Sequence, residues 1–259
     1  TGNSLANTLI GNNGNNILDG KAGLDSFIGG AGNDTYVLDQ EGELLQVSEN
    51  AGAGIDTLKI TYANATTSAK NVTLSGNLGN IEHVMLTGTG LFSIEGNTAD
   101  NALTGNASAN QLTGGDGNDT LSGLGGIDTL IGGNGLDRLI GGIGSDILTG
   151  GGNADMFRFD SALSTSSNVD TLVDFQSTSD KIELENAIFK KLITLGTLSA
   201  LNFVANTNGK AADTNDYVLY NTTTGNLFYD ADGSGSGAAV MFAKLTGVPT
   251  LLATDFLVT

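Results

Sequence analysis

The stretch that decides the fold is residues 114–158, which reads GGDGNDTLS, GLGGIDTLI, GGNGLDRLI, GGIGSDILT and GGGNADMFR in consecutive groups of nine. Two further groups, GNTADNALT and GNASANQLT, extend this array back to residue 96, and four more fill residues 2–37. In all eleven groups position 1 is Gly, position 6 is Asp or Asn, and position 8 is apolar. Such a strict short period predicts a fold built by stacking repeats.

The three fixed columns predict the conformation of each repeat. Gly and Asn tolerate positive φ, so the first six positions are expected to form a turn. The residues around position 8 then form a short strand whose apolar side chain points inward. Two turns and two strands complete one coil of 18 residues, and coils stack about 4.8 Å apart. The sequence therefore predicts an all-β fold, a parallel β-solenoid or β-roll of nonapeptide repeats with a β-rich C-terminal cap.

Position 6 places acidic side chains one above another. Repeat n lies beside repeat n+2, so their position-6 carboxylates are expected about 5 Å apart. Carboxylates that close repel each other unless a cation lies between them. Six or more hard oxygens without His or Cys select Ca²⁺. The alternative is a calcium-free solenoid in which Asx residues cap the turns, which explains the Asn residues better than the consecutive Asp residues.

The predicted ligands to several Ca²⁺ ions are position-6 side chains and glycines of the same turns. Pairs of two Asp residues are expected to bind Ca²⁺ more tightly than pairs that contain one Asn, which supplies a neutral oxygen. The Asp pairs are Asp119 with Asp137, Asp128 with Asp146, and Asp137 with Asp155. The other predicted ligands are Asn7, Asn16, Asp25, Asp34, Asn101, Asn110, Gly30, Gly32, Gly115, Gly117, Gly126, Gly133, Gly135, Gly142 and Gly144.

Composition excludes several classes of protein. The 259 residues include 39 Gly, one Pro, no Cys and no Trp, and Lys+Arg 10 against Asp+Glu 28 gives a net charge of −18. So acidic a chain repels phosphate, which argues against nucleic-acid binding. The sequence holds no apolar run of about 18 residues, so no membrane span is expected. Without Cys and with one His, thiolate and multi-His metal sites are excluded.

The repeat pattern GGxGxDxUx, best seen in residues 29–37, 114–122 and 132–140, resembles the RTX (repeats-in-toxin, haemolysin-type) calcium-binding repeats of bacterial exoproteins. Residues 150–184 look like the closing segment found after such arrays in secreted metalloproteases, and DTLVDF (170–175) is similar to the family's D-T-I-x-D-F element. The resemblance implies that Asp170 and Asp174 cap the last calcium sites. An alternating strand with solvated Asp residues is the alternative.

The regions outside the arrays read mainly as strands. We expect 1–37 to be a first RTX repeat block, 38–95 a β-rich intervening solenoid segment, 96–158 a second repeat block, and 159–259 a C-terminal capping region. In the last region, YVLYN and NLFYD predict a β-hairpin, AVMFAKL (239–245) a third strand, and NAIFKKLI (186–193) a helix. The terminal DFLVT resembles the uncleaved C-terminal signal of type I secretion substrates, with a plain terminal strand as the alternative.

The resemblance implies a calcium-binding RTX module that folds on Ca²⁺ binding outside the cell and supports type I secretion and stability of a larger exoprotein. Its expected partners are calcium, the type I secretion machinery and an upstream domain of the same polypeptide. The expected location is extracellular, secreted from a Gram-negative bacterium, with a cell-surface association left open. Because the chain starts directly on a repeat, we expect a C-terminal fragment.

The sequence also leaves alternatives to the function of a calcium-binding module. A glycan-binding or cell-surface adhesion module, with a polysaccharide as partner, is the main alternative, although five Tyr and no Trp offer few rings for sugars. No catalytic residues are predicted, since the sequence holds no G-x-S-x-G, P-loop or H-E-x-x-H motif. The turn at Asp230 and Asp232 is not an EF-hand, because Met241 stands where that loop needs Glu. Calcium at this turn stays open beside a plain polar turn.

Overall fold

The computed structural model describes residues 1–65 and 67–259, which form a stack of short strands joined by tight turns. In chain order the strands are β1 (Thr8–Ile10), β2 (Ile17–Asp19), β3 (Ser26–Ile28), β4 (Thr35–Leu38), β5 (Val47–Ser48), β6 (Thr57–Ile60), β7 (Lys70–Thr73), β8 (His83–Leu86), β9 (Phe92–Glu95), β10 (Ala102–Thr104), β11 (Asn110–Asp116), β12 (Thr120–Ser122), β13 (Thr129–Asn134), β14 (Arg138–Ile140), β15 (Ile147–Gly152), β16 (Met156–Phe159), β17 (Asp170–Leu172), β18 (Lys181–Leu184), β19 (Gly196–Thr197), β20 (Phe203–Asn206), β21 (Val218–Asn221), β22 (Asn226–Tyr229), β23 (Val240–Leu245) and β24 (Phe256–Val258). Short 3-10 helices are η1 (Glu41–Leu45), η2 (Gly76–Leu78), η3 (Ala200–Asn202) and η4 (Ala253–Asp255).

Successive strands of the repeats alternate between two faces of the solenoid. The even-numbered strands β2 to β18 pair in parallel, each with the strand one coil away, within an 11-stranded sheet that also holds β24 and β19. The odd-numbered strands β1, β3 and β5 form a 3-stranded sheet. The odd-numbered strands β7 to β17 form a 10-stranded sheet together with β20, β21, β22 and β23. This topology confirms the predicted all-β parallel β-solenoid.

The core consists of apolar side chains stacked in register along each face. On the even face, Leu103 pairs with Leu121, Leu121 with Leu139, and Leu139 with Phe157. These four side chains are 0% exposed. Because position 8 lies at the centre of each three-residue strand, its side chain points inward while its neighbours point outward. Each fully buried Leu contributes about 1.5–3 kcal/mol to the stability of the fold.

Residues 38–95 continue the even face although they lack the nine-residue period. Thr35 pairs with Thr57, and Thr57 with His83, so the coils here are longer but keep the same register of strands. On the odd face the ladder breaks between β5 and β7. Residues 44–49 hold the end of η1 and the two residues of β5.

The C-terminal region caps the solenoid and covers its last strands. β21, β22 and β23 form the predicted antiparallel arrangement, and β23 also pairs in parallel with β17 of the odd face. The terminal β24 lies between β18 and β19. Adding strands in this way covers the sheet edges that would otherwise expose unpaired backbone groups.

The helix predicted over 186–193 is wrong, because the segment forms turns. The N–H groups of Ile188 and Phe189 both donate to the carbonyl of Glu185, and the N–H of Leu192 donates to the carbonyl of Phe189, so two separate turns form without a helix. The buried Phe189 ring packs edge-on against Tyr229 and Phe242, with ring centroids 5.2 Å apart in both pairs. Packing in the cap thus decides the backbone conformation here, over local helix propensity.

Candidate metal centre

A buried Asp precedes each strand from β12 to β16, and its side chain bonds to the backbone one coil earlier. Oδ1 of Asp137 accepts the N–H of Asp119 at 2.8 Å, and Oδ1 of Asp155 accepts the N–H of Asp137 at 3.0 Å. On the other edge, Oδ1 of Asp146 accepts the N–H of Asp128 at 2.8 Å. One carboxylate oxygen of each Asp therefore fixes the stacking of coils.

These contacts order the polar residues into two columns, one on each edge. Column one consists of Asn16, Asp34, Asp56, Glu82, Asn101, Asp119, Asp137, Asp155 and Asp180. Column two has a first part, Asn7, Asp25 and Glu43, and a second part, Asn110, Asp128, Asp146 and Asp170. The predicted pairing of repeat n with repeat n+2 is the arrangement that the structure shows.

The second carboxylate oxygen of most column Asp residues is buried and has no hydrogen-bond partner in the part of the chain that the structure describes. These oxygens are the Oδ2 atoms of Asp25, Asp34, Asp56, Asp119, Asp128, Asp137, Asp146 and Asp155. Burying a charged oxygen without a partner costs several kcal/mol. The nearby Arg138 and Arg158 do not relieve this cost, because both guanidinium groups pair with Glu183 instead.

The unpaired oxygens point into small spaces beside the position-1 glycines. A Cβ atom added to Gly132 would lie within 3.0 Å of both Asp137 Oδ2 and the Gly150 carbonyl oxygen. The same arrangement recurs at Gly123, with Asp128 Oδ2 and the carbonyl of the next coil. Carboxylate and backbone carbonyl oxygens are the ligands that Ca²⁺ takes in proteins. The residues present therefore fit a calcium ion between successive turns.

The nine glycines predicted as ligands lie at positions 2 and 4 of the turns, and a metal-binding role for their carbonyls stays a prediction. All nine have positive φ, for example 98° at Gly142 and 151° at Gly144. A Cβ on Gly144 would overlap the Gly126 carbonyl of the preceding coil. These positions allow the turns to stack closely enough to bring carbonyl oxygens of neighbouring coils together. Leu124 takes the same conformation at position 2, with φ of 69°.

Burial raises the pKa of several column carboxyls. It raises the pKa of Asp119 and Asp128 to about 7 from 3.8, helped by repulsion from Asp137 and Asp146 respectively and opposed by the backbone N–H that each accepts. The pKa of Asp170 rises to about 8, chiefly through burial. Raised values show that the fold destabilises negative charge here, and a bound cation would reverse that effect.

The Asn residues at position 6 differ from the Asp residues in their hydrogen bonds. Oδ1 of Asn101 accepts the N–H of Asn97 at 2.8 Å, and Oδ1 of Asn110 accepts that of Asn106 at 2.8 Å, both within their own turns. Asn7 and Asn16 cap their turns in the same way. Turn capping therefore describes the Asn positions, and their oxygens are less available to a metal than Asp Oδ2.

The two Asp residues that the resemblance implied as caps lie in different environments. Asp170 belongs to column two, where its Oδ1 accepts the N–H of Asp146 at 3.0 Å. Asp174 lies outside both columns, and its two oxygens accept the N–H groups of Gly150 and Gly151 at 2.9 Å each. Both carboxylate oxygens of Asp174 are thus already bonded to backbone. A metal-binding role for either residue stays a prediction.

Sequence reasoning missed four acidic members of the columns, namely Glu43, Asp56, Glu82 and Asp180. All four lie outside the nonapeptides, where coil lengths change. A signal existed for Asp56, because Asp56-Thr57-Leu58 repeats the Asp-Thr-Leu of 119–121 and 128–130. Asp180 likewise precedes a strand with an apolar central residue, Ile182. Both segments share the pattern of Asp, any residue and an apolar residue. A search for that pattern, without the glycines, would have found Asp56 and Asp180.

Fold and site together define a class of protein, the β-roll of nonapeptide repeats with calcium-type oxygen ligands at its edges. The family described as Peptidase M10 serralysin C terminal matches residues 7–258, and the chain belongs to this family. The protein is therefore an RTX-type calcium-binding repeat module. No described residues form a helix long and apolar enough to cross a membrane.

Three solved structures are similar to the chain. The R3 subunit of the mannuronan C5-epimerase AlgE6 from Azotobacter vinelandii is 26% identical over 61% of this chain and 78% of its own, with a TM-score of 0.28. The R2 subunit is 27% identical over 65% and 91%, with a TM-score of 0.29. The extracellular lipase LipA from Serratia marcescens is 20% identical over 100% of this chain, which spans 39% of the lipase, with a TM-score of 0.24. No curated protein matches significantly.

Proposed function

We propose that the chain is a non-catalytic module that binds several Ca²⁺ ions and folds as it binds them outside the cell. In this role it supports type I secretion and the stability of a larger exoprotein. The observation that carries the proposal is the set of eight buried Asp Oδ2 atoms that lack a hydrogen-bond partner among the described residues. Calcium would neutralise this charge at the place where the turn carbonyls converge.

The energetics favour folding that depends on calcium. The unfolded chain keeps its carboxylates hydrated, whereas the metal-free fold buries them unpaired in a chain of net charge −18. Ca²⁺ binds the folded turns, where carboxylate and carbonyl oxygens lie together, and has no comparable site in the unfolded chain. Its binding free energy is therefore added to the free energy of folding. Low calcium inside the cell would leave the chain unfolded, and higher calcium outside would fold it.

The position of the C-terminal residues supports export before folding. The segment resembling a secretion signal, Asp255–Thr259, is part of η4 and β24. Phe256 is 1% exposed, and Asp255 accepts hydrogen bonds from the Ser177 hydroxyl and the Leu252 N–H. A transporter could read these residues only while the chain is unfolded. Folding after export would then protect them and prevent the chain from moving back.

An export assay tests the secretion role. The chain is produced in cells that carry a type I transporter, as full-length protein and as a variant lacking residues 255–259. A variant lacking residues 1–5 serves as the matched control for loss of five residues. We expect the full chain and the control in the medium and the first variant inside the cell. Equal export of all three would contradict the role of the C-terminus.

Limited proteolysis tests the folding role independently of export. In excess chelator the purified chain is expected to be cut throughout, including within 114–158. In millimolar Ca²⁺ the same stretch is expected to resist cleavage, because its turns are then bound and stacked. A chain that resists protease equally with chelator would rule out folding driven by calcium.

A further inference from the structure

Three carboxyl side chains meet at the end of the first repeat block, where the chain leaves the nine-residue period. They belong to Asp34, Glu49 and Asp56, and one carboxylate oxygen of each lies within 4.8 Å of the other two. All three residues are buried. Asp34 occupies position 6 of the last repeat of that block, Asp56 is the column-one residue of the next coil, and Glu49 follows β5. The cluster therefore joins three coil segments.

Two carboxylate oxygens of this cluster have no hydrogen-bond partner among the described residues, which indicates that the cluster binds a ligand. Oδ1 of Asp56 accepts the N–H of Asp34 at 2.7 Å, but the Oδ2 atoms of both residues are buried and have no hydrogen-bond partner in residues 1–65 and 67–259. Asp34 is 1% exposed and Asp56 is 0% exposed. A Cβ atom added to Gly29 would lie within 3.0 Å of Asp34 Oδ2, Glu49 Oε2 and the Tyr36 hydroxyl. These atoms thus converge on one space beside Gly29.

This space differs in charge from the equivalent spaces of the regular repeats. Beside Gly132 the converging oxygens are Asp137 Oδ2 and a neutral backbone carbonyl, that of Gly150. Beside Gly29 the carboxylate of Glu49 takes the place of that carbonyl. The irregular coil therefore replaces a neutral ligand atom with an acidic one, and Asp56 adds a third carboxylate.

No positive side chain balances these three carboxylates in the described part of the chain. The ion pairs found there involve other acidic groups. Glu49 bonds to the Tyr36 hydroxyl through Oε2 and accepts the N–H of Asn50 at 2.8 Å through Oε1. These two hydrogen bonds orient the carboxylate without neutralising it. Burial of three charged carboxylates together is strongly unfavourable, and a cation between them would offset that cost.

We propose that Glu49 joins the column-one residues Asp34 and Asp56 in a calcium site with three carboxylate ligands, an inference that rests on the proposed calcium-binding function. Calcium–oxygen bonds of about 2.3–2.6 Å allow two ligands of one ion to lie up to about 5 Å apart, which matches the observed spacing. The ligands are all hard oxygens, which select Ca²⁺ over transition metals. The ion would join the first repeat block to the irregular coils that follow it.

Counting bound ions tests the site in the full chain. Native mass spectrometry of the calcium-loaded protein is expected to show one ion fewer in Glu49→Gln and in Asp56→Asn than in the wild type. Glu95→Gln, which changes an exposed carboxylate on β9, is the matched control and should keep the wild-type count. An unchanged count in Glu49→Gln would overturn the proposal. Absence of calcium from every variant would instead refute the proposed calcium-binding function as a whole.

A second measurement does not depend on the folding of the carboxylate variants. Tb³⁺ replaces Ca²⁺ in oxygen sites and emits when a nearby tyrosine is excited. The Tyr36 hydroxyl bonds to Glu49, so Tyr36→Phe is expected to lose most of the tyrosine-sensitised emission while keeping all three carboxylates. Tyr220→Phe is the control, because the Tyr220 hydroxyl bonds to Pro249 in the cap. Full emission from Tyr36→Phe would overturn the proposal.

Discussion

The backbone N–H of Asp137 donates to Oδ1 of Asp155 at 3.0 Å, while Oδ2 of both residues is buried without a hydrogen-bond partner among the residues that the structure describes. The two oxygens of each Asp carboxylate therefore have different roles. One oxygen holds the coil to its neighbour, and the other faces the space beside a position-1 glycine. The same side chain therefore contributes to the fold without metal and supplies a ligand when metal is present.

Loss of one column carboxylate should weaken calcium binding where two Asp residues are stacked. Asp137→Asn keeps an Oδ1 acceptor for the Asp119 N–H but removes a negative charge from the two pairs that share Asp137. We expect calcium affinity at these sites to fall about tenfold or more, since affinity follows the number of charged ligands. Isothermal titration calorimetry measures the change.

The matched controls for Asp137→Asn separate site charge from total charge. Asp116→Asn removes an exposed carboxylate from the same array and should leave the affinity almost unchanged. Asn7→Ala, at a position where the side-chain oxygen already caps a turn, should have a smaller effect than Asp137→Asn. Equal losses in all three variants would contradict the ranking of the sites.

Filling the space beside a position-1 glycine should prevent metal binding there. Gly132→Ala would place a methyl group within 3.0 Å of Asp137 Oδ2 and the Gly150 carbonyl. The φ of Gly132 is outside the positive range that strains other residues, so the substitution acts by displacing these two oxygens from the ion space. We expect one calcium fewer per chain by native mass spectrometry. Gly125→Ala, where the nearest atoms are 3.8 Å away, should keep the full count.

The calcium-free fold should be more stable in acid than at neutral pH. Burial raises the pKa of Asp119 and Asp128 to about 7 and of Asp170 to about 8, above the ordinary 3.8. The folded state then binds protons more tightly than the unfolded state. The resulting stability is fully present below about pH 3.8 and is lost as the pH rises through 7 to 8. Far-UV circular dichroism in calcium-free buffer should show more β-structure at pH 4 than at pH 8.

Calcium should reverse that pH dependence, because it binds the deprotonated carboxylates. In millimolar Ca²⁺ the urea midpoint should rise between pH 5 and pH 8. Asp119→Asn combined with Asp128→Asn removes two of the titrating groups and should flatten the calcium-free profile. A calcium-free β-structure content that rises toward pH 8 in the wild type would contradict the role of the buried carboxyls.

Truncation of a stacked core side chain should destabilise the calcium-bound module strongly. Leu139 is 0% exposed and pairs with Leu121 and Phe157 in the even face. Leu139→Ala is expected to cost about 2–5 kcal/mol, because the neighbouring coils cannot collapse to fill the cavity. Urea denaturation in calcium measures the loss. Ile127→Ala, at a side chain that is 66% exposed, should change the free energy of unfolding by less than about 0.5 kcal/mol.

The repeats could be predicted from sequence because the residues that determine their turns and strands lie close together in the chain and recur at a fixed period. In 114–158 each Gly, Asp and apolar position recurs every nine residues, so strand, turn and column follow from one repeat. The sequence could not predict that Oδ1 bonds to the neighbouring coil while Oδ2 faces the ion space, since these contacts depend on the offset between stacked coils. The capping bonds of Asn101 and Asn110 likewise depend on side-chain orientation within each turn.

The irregular coils and the cap were harder to predict because contacts between distant segments decide them. Asp34 stacks on Asp56, 22 residues away instead of 18, so a fixed period does not align them. Glu49 reaches the same space from a different strand. In 186–193 the apolar spacing indicated a helix, but Phe189 is held by rings from β22 and β23. Such tertiary packing leaves no signature in a short sequence window.

The central claim is that calcium binding and folding are one process in this chain. Far-UV circular dichroism of the metal-free full chain, titrated with Ca²⁺ near neutral pH, tests it most directly. We predict a disordered spectrum in excess chelator and a cooperative change to a β-rich spectrum by millimolar Ca²⁺. An unchanged β-rich spectrum from chelator to millimolar Ca²⁺ would contradict the account.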